Sequence, residues 1–160
     1  MHKVEKFQDY LSQLDVMPQV NGGNSFIIDG EDVTPLCCSL MGHMMQDIPF
    51  PEESIPSVIF IDEEQSDTHP AFRRTGYYNF KDNSINIFVS GRALKDILRS
   101  IAHELIHADQ NINKGMDLSP AVYGLGEDSA KAAEEIEADA YLRGNLGLRK
   151  WEDRLKPKFI

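Results

Sequence analysis

One amphipathic segment near the middle of the chain constrains its fold most. Apolar residues recur there at helical spacing for about five turns: Leu94, Ile97, Leu98, Ile101, Leu105, Ala108 and Ile112. The Asn113-Lys114-Gly115 sequence that follows supplies a glycine suited to a helix C-terminus. We therefore predict a long helix whose apolar stripe faces a core.

The flanking segments predict α+β architecture. Strands are expected at Ser57–Asp62, Thr75–Phe80 and Ser84–Val89, the last two forming a hairpin around a short polar loop. Further helices are expected at Lys3–Leu14, at about Thr34–Gln46, at Ser129–Arg143 with Gly144 near its end, and in a short segment before Pro157. Helices, then a small sheet, then helices is an order typical of the α+β class.

Composition limits the classes of partner. With 160 residues, 41% of them hydrophobic, the chain is expected to form one domain, 1–160, with its own core. A net charge of −10 argues against a nucleic-acid partner, since binding to phosphates needs clustered Lys and Arg. No apolar run approaches the ~20 residues of a membrane span. The oligomeric state is left open.

A cytoplasmic location is expected from two further features. The first residues lack the apolar stretch of a secretory signal. The two cysteines, Cys37 and Cys38, are adjacent and could pair only with strain, so we expect buried free thiols on a helix.

An HExxH motif, His103-Glu104-Leu105-Ile106-His107, lies inside the long amphipathic helix. Histidines four residues apart point from one helical face, so their ring nitrogens can converge on one zinc ion. On the helical wheel they lie opposite the apolar stripe, which directs them towards a possible cleft. The motif therefore predicts a Zn²⁺ site.

A third zinc ligand is expected from the acidic segment Glu134–Asp139, because no His or Cys follows Met116. Helical phase places Glu135 and Asp139 on one face with small and apolar residues: Ala132, Ala138 and Leu142. Glu137 falls on a face that reads as solvated. Glu135 is therefore the predicted ligand, and Asp139 is expected to accept a hydrogen bond from a ligand histidine.

The HExxH motif followed by Glu135-Ile136-Glu137-Ala138-Asp139 resembles the gluzincin zinc metallopeptidases, with their HExxH and ExxAD or ExxxD patterns. The resemblance covers roughly Ile85 to Leu142, and the size is similar to the minimal members of bacteria and phages. It implies a small zincin-like domain, in which a short mixed or antiparallel sheet packs on the HExxH helix and a glutamate helix follows. It also implies a zinc ligand at the first glutamate and a histidine-supporting aspartate.

The same resemblance implies hydrolysis of a peptide or protein substrate by a zinc-activated water, with Glu104 as the general base. The tetrahedral intermediate needs one more donor. Tyr123, expected in the loop between the two ligand helices, is the candidate, and His69, Arg73 and Arg74 are alternatives.

A peptide-binding strand is also implied by the resemblance. Strand addition to a sheet edge would hold an extended peptide, and we assign that edge to Ser84–Val89 or to Thr75–Phe80. A hairpin that only covers the core is the alternative.

Two other functions stay open at this stage. The chain could be a catalytically silent zincin-fold module that binds a partner or senses a signal, although the presence of Glu104 argues against it. It could also be a SprT-like protease acting on DNA-associated proteins, against which stand the acidic charge and the missing zinc-ribbon cysteines.

Overall fold

The computed structural model describes residues 27–28, 31–32, 34–63, 75–123 and 127–159. Within these ranges the fold is α+β, with four helices and a three-stranded mixed sheet beside a small hairpin. The elements in chain order are β1 (Ile27–Ile28), β2 (Glu31–Asp32), α1 (Thr34–Met44), a 3-10 turn (Glu52–Ser54), β3 (Ser57–Ile61), β4 (Gly76–Asn79), β5 (Ser84–Phe88), α2 (Leu94–Ile112), α3 (Ser119–Tyr123) and α4 (Glu127–Phe159). The helix expected at Lys3–Leu14 lies outside the described residues.

The three-stranded sheet has the order β3-β5-β4. β5 is parallel to β3 and antiparallel to β4, and all five of its residues are buried. The predicted hairpin of β4 and β5 is confirmed. Asn83, in its turn, has a left-handed φ of 55° and accepts a 2.6 Å hydrogen bond from the Tyr78 hydroxyl. Among the described strands, β4 is therefore an edge and β5 is not.

Helix α2 has the bounds that the apolar periodicity predicts. It packs against β4 and β5, against α1, and most extensively against α4. Its C-terminus is closed by Gly115 at φ +60°, with the Met116 N–H donating to the Gln110 carbonyl at 2.9 Å. Helix α2 is thus covered on several sides, so some of its polar residues are buried together with its apolar stripe.

Helix α4 is longer than predicted, and the expectation of a helix end near Gly144 is wrong. The chain stays helical through Gly144 and on past Pro157 to Phe159. Gly144 is an interior contact with α2: a Cβ there would lie 3.1 Å from both the Cα and the N of His103. The glycine permits close helix packing and does not terminate the helix.

The predicted polar loop before α4 contains a short helix, α3, which packs on α4. The Ser119 N–H is capped by the Asp117 carboxylate at 2.9 Å, and this explains why the turn begins there. No helix in the described part of the chain is both long and apolar enough to span a membrane.

Candidate metal centre

His103, His107 and Glu137 form a compact group of potential metal ligands, whose ligand atoms all lie within 4.8 Å of one another. The two Nε2 atoms lie 3.1 and 2.9 Å from the two oxygens of the Glu137 carboxylate. Tetrahedral zinc, with bonds of about 2.0–2.2 Å to N and O, needs ligand atoms roughly 3.5 Å apart. Two imidazoles and one carboxylate are a donor set that suits zinc, and their N–O separations are about half an ångström shorter than this spacing.

The structure does not place Glu135, the predicted third ligand, beside the two histidines, and Glu137 lies there instead. Glu135 is exposed, whereas Glu137 lies between the two histidines. The packing of α4 is the reason. Ile136 and Ala140 are buried against α2, while Leu142, taken as part of the buried face, is 62% exposed.

A signal for Glu137 is present in the sequence beyond Leu142. At 100° per residue, the buried α4 residues Ile136, Ala140, Gly144, Leu148, Trp151 and Leu155 span about 120° of the helical wheel. Glu137 falls inside that stripe, about 100° from Ile136, and Glu135 lies about 100° away on the opposite side. A helix assumed to end at Arg143 leaves out the residues that define this phase.

Gln110, which the sequence reasoning missed, orients His107. Its amide nitrogen donates to the Ile136 carbonyl at 3.1 Å and to Asp139 Oδ2 at 2.8 Å. Its Oε1 must therefore accept from His107 Nδ1–H, at 2.8 Å. That contact places the proton of neutral His107 on Nδ1 and leaves Nε2 as the ligand atom.

Asp139 contacts His107 only indirectly, through Gln110, and not by the direct hydrogen bond predicted from the sequence. It accepts a hydrogen bond from Gln110, which lies between Asp139 and His107 and bonds to both. Arg143 donates to both Asp139 oxygens, at 2.8 and 2.7 Å, and to Asp109 at 2.7 Å. The Arg143 hydrogen bonds lower the pKa of Asp139 to about 2. The result is a charged brace between α2 and α4 beneath His107.

The electrostatics of the ligand group follow from these contacts. Hydrogen bonds from His103 and then His107 hold the pKa of Glu137 far below its ordinary value. Burial disfavours the charged form of His107, but the hydrogen bonds to Glu137 and Gln110 and the charge of Glu104 leave its pKa raised. Among the described residues, His103 Nδ1 has no hydrogen-bond partner, and the Tyr141 ring packs 4.4 Å from the His103 ring, centroid to centroid.

Glu104 is 6% exposed and lines the same cleft as the ligand group. Burial raises its pKa, although the two histidines and the backbone N–H of Tyr78 favour the carboxylate. An acidic group that is partly shielded from water and faces a metal-binding cleft is suited to accept and return a proton.

The cleft has a volume of about 680 Å³ and lies between α2, α4 and the edge strand β4. Tyr123, the predicted oxyanion donor, is 54% exposed and is not among the residues that line it. The chain turns through α3 and leaves this side chain outside. Tyr141, one turn after Glu137, lines the cleft instead. His69, Arg73 and Arg74 lie outside the described residues.

The edge of β4 faces the cleft, which decides between the two strands expected to pair with a peptide. Thr75 O accepts from Phe88 N–H, so in the register of the β4–β5 pair the backbone groups of Gly76 and Tyr78 point away from β5. The assignment of strand addition to Ser84–Val89 is wrong, because β5 is flanked on both sides by strands. Thr75–Phe80 contains the available edge.

A comparison of the chain with protein-family models, with curated proteins and with solved structures finds no match.

Proposed function

We propose that this chain is a zinc-dependent metallopeptidase of the zincin-like type. The observation that carries the proposal is the convergence of His103, His107 and Glu137, on two different helices, beside the buried carboxyl group of Glu104. Each of these groups has a role in metal-assisted hydrolysis, and together they line one cleft.

Zinc at this place supplies a Lewis acid that activates water and polarises a carbonyl group. Within the proposal, His103, His107 and Glu137 hold the ion, and Gln110 keeps Nε2 of His107 directed at it. Glu104 takes a proton from the attacking water and passes it to the leaving amine. Tyr141 is the new candidate for the donor that stabilises the oxyanion.

The proposed substrate is an extended peptide or protein segment paired antiparallel with β4. The outward backbone groups of Gly76 and the outward carbonyl of Tyr78 support this, because main-chain pairing holds a peptide without a sequence requirement. A mixed sheet whose antiparallel edge strand lies along the HExxH helix also supports the zincin-like assignment.

The proposal includes a reducing, cytoplasmic location. Cys37 and Cys38 are both buried and form no disulfide with each other, which suits such a compartment. A nucleic-acid or membrane partner forms no part of it.

The metal site is tested by the zinc content of the purified protein, wild type beside Glu137→Ala and Glu135→Ala. We expect about one zinc ion per chain in the wild type and in Glu135→Ala, and loss of zinc in Glu137→Ala. The two variants remove the same group two residues apart, so they share any general effect of charge. Loss of zinc from Glu135→Ala alone would refute the ligand set.

The reaction is tested by Glu104→Gln. This variant should retain zinc and lose cleavage of a mixed peptide library, by about 10²–10⁴-fold. Activity that survives the substitution would contradict the assigned general base. A wild-type protein that binds zinc and cleaves nothing would instead support the catalytically silent module.

A further inference from the structure

One end of the cleft carries two arginines that the proposed reaction does not use. Arg92 and Arg99 line the cleft beside Ser100, at the N-terminal part of α2. The inference drawn from them rests on the proposed peptidase function and names a chemical feature of its substrate.

Arg92 is a half-buried cation bound only by neutral oxygens. Its Nη1 donates to the carbonyls of Thr75 and Phe88, at 2.8 and 2.7 Å. Its Nη2 donates to the Asp96 carbonyl at 3.0 Å and to the Ser100 hydroxyl at 2.7 Å. No carboxylate within the described ranges forms an ion pair with it. Burial accordingly lowers its pKa, which the charge of Asp96 only partly offsets. These four hydrogen bonds fix its positive charge at the start of β4.

Arg99 adds a second, more accessible cation to the same wall. Its side chain is 47% exposed, and one nitrogen donates to Asp96 Oδ1 at 2.7 Å. An exposed pair of this kind is weak, of the order of 0–1 kcal/mol, so the guanidinium can rearrange towards a ligand at little cost. Arg92, Arg99 and Asp96 together leave this end of the cleft with one net positive charge.

We propose that this end of the cleft binds a carboxylate of the peptide substrate, on the C-terminal side of the bond that is cleaved. Arg99 makes the direct contact, and Arg92 provides a fixed positive field behind it. The carboxylate belongs either to the C-terminus of a short peptide or to an Asp or Glu side chain, because both present the same group.

The position along the substrate follows from the strand direction. Arg92 contacts Thr75 just before β4, whereas Glu104 interacts with Tyr78 near its end. A peptide antiparallel to β4 therefore runs from the Glu104 end towards the Arg92 end. On α2, Arg99 precedes His103 by four residues, which is about 6 Å of helix. Asp96 precedes His103 by seven residues, which is about 10 Å. At about 3.3 Å per extended residue, the carboxylate lies two to three residues beyond the scissile bond.

The overall charge of −10 gives this local pair its selectivity. The net charge disfavours an acidic peptide in general, and with zinc bound the ion would balance the charges of Glu104 and Glu137, so the centre of the cleft offers no net attraction. Among the described residues that line the cleft, Arg92 and Arg99 are the only Lys or Arg side chains, so an acidic group is favoured at one position along the peptide over the others.

The test compares matched peptides on the wild-type zinc protein. A cleavable peptide of fixed sequence is made with Glu or Gln at each successive position, and with a free or an amidated C-terminus two or three residues beyond the cleaved bond. We expect kcat/KM to be about 5- to 10-fold higher for the carboxylate in that window, and lower or unchanged for Glu elsewhere. The Glu/Gln series and the free/amide series report separately on the two sources of carboxylate.

Three variants assign the effect to the proposed groups. Arg99→Gln should abolish the carboxylate preference, so that the ratio of kcat/KM between the matched carboxylate and amide peptides falls to about one. Asp96→Asn should increase the preference, because it removes the competing negative charge. Lys95→Gln is the matched control: it removes one positive charge from the same helical turn, but Lys95 is paired with Glu152 at 3.8 Å and lies outside the cleft lining. It should leave the preference unchanged.

The outcomes separate this inference from the function on which it rests. Peptide cleavage without a carboxylate preference, or a preference that Arg99→Gln leaves intact, would overturn the inference and leave the peptidase standing. A preference on the N-terminal side of the cleaved bond would overturn it as well. If the wild-type protein cleaves no peptide, and the Glu104→Gln variant binds the matched carboxylate and amide peptides equally, both the peptidase function and the carboxylate preference would be refuted.

Discussion

Replacing Gln110 with alanine should weaken both the metal site and the fold, by separable amounts. Gln110 is completely buried and makes three hydrogen bonds: to His107, to the Ile136 carbonyl and to Asp139. Its amide joins His107, a proposed metal ligand on α2, to the backbone and a carboxylate of α4. Truncation removes all three contacts and introduces no new group.

The magnitude can be worked out from those contacts. The neutral bonds to His107 and Ile136 contribute about 1 kcal/mol each, and the bond to the Asp139 carboxylate about 1.5–3 kcal/mol. Asp139 keeps its two bonds to Arg143, so the lower figure applies to it. We expect Gln110→Ala to lower the free energy of unfolding by about 3–4 kcal/mol. Loss of the partner that orients His107 should lower zinc affinity by about 10- to 100-fold.

Two assays measure the loss of stability and the loss of zinc affinity separately. Urea unfolding of the zinc-free protein reports the stability loss, and competition with a chelator reports the zinc affinity of the folded protein. Asn111→Ala is the matched control, since it removes a neighbouring amide whose bond, 3.0 Å, goes to the Tyr78 hydroxyl and not to a ligand. It should cost about 1 kcal/mol of stability and leave zinc affinity unchanged. If Gln110→Ala loses stability but binds zinc as the wild type does, Gln110 contributes only packing and the orienting role is refuted.

Two further predictions concern α4. Gly144→Ala should destabilise the protein by about 1–3 kcal/mol, because its Cβ would meet the His103 backbone at 3.1 Å. Gly147→Ala should change the free energy of unfolding by no more than about 1 kcal/mol, because its Cβ would meet the flexible Met44 side chain. Thermal unfolding compares them, and equal losses would contradict the close-packing argument. Tyr141→Phe should lower kcat by about 10²-fold or more with zinc content unchanged, whereas Tyr123→Phe should have no effect. A loss of activity in Tyr123→Phe alone would restore the donor expected from the sequence.

The elements that could be predicted are those whose periodicity is complete within one segment. Helix α2 repeats an apolar spacing from Leu94 to Ile112 and ends at a glycine, so its bounds follow from local pattern. The β4–β5 hairpin is likewise a local feature. Their order in the sheet is not: that β5 lies in the centre depends on parallel pairing with β3, more than twenty residues away along the chain.

The errors at the site come from treating glycine as a helix terminator. A glycine such as Gly144 can either cap the C-terminus of a helix or allow a second helix to approach closely, and only the partner helix distinguishes these two roles. A helix predicted to end at this glycine lacks Leu148, Trp151 and Leu155. The buried face inferred from the remaining residues is therefore rotated relative to the buried face of α4 in the structure. The HExxH half of the site did not suffer this error, since both histidines belong to one helix.

The position of Glu137 is itself an argument for what the site binds. It lies within the apolar stripe of α4, at the level of a small residue, Ala140, and a glycine, Gly144, that bring the helix close to α2. A carboxylate half removed from water costs free energy unless a cation or several donors compensate it. Here two imidazoles face it, and one of them, His107, already gives its Nδ1–H to Gln110. To donate to Glu137 as well, His107 must carry a second proton; a divalent cation between the three groups compensates the carboxylate with both imidazoles neutral. The surroundings of Glu137 therefore support the metal ion proposed for this site, beside the close approach of Gly144 to the His103 backbone.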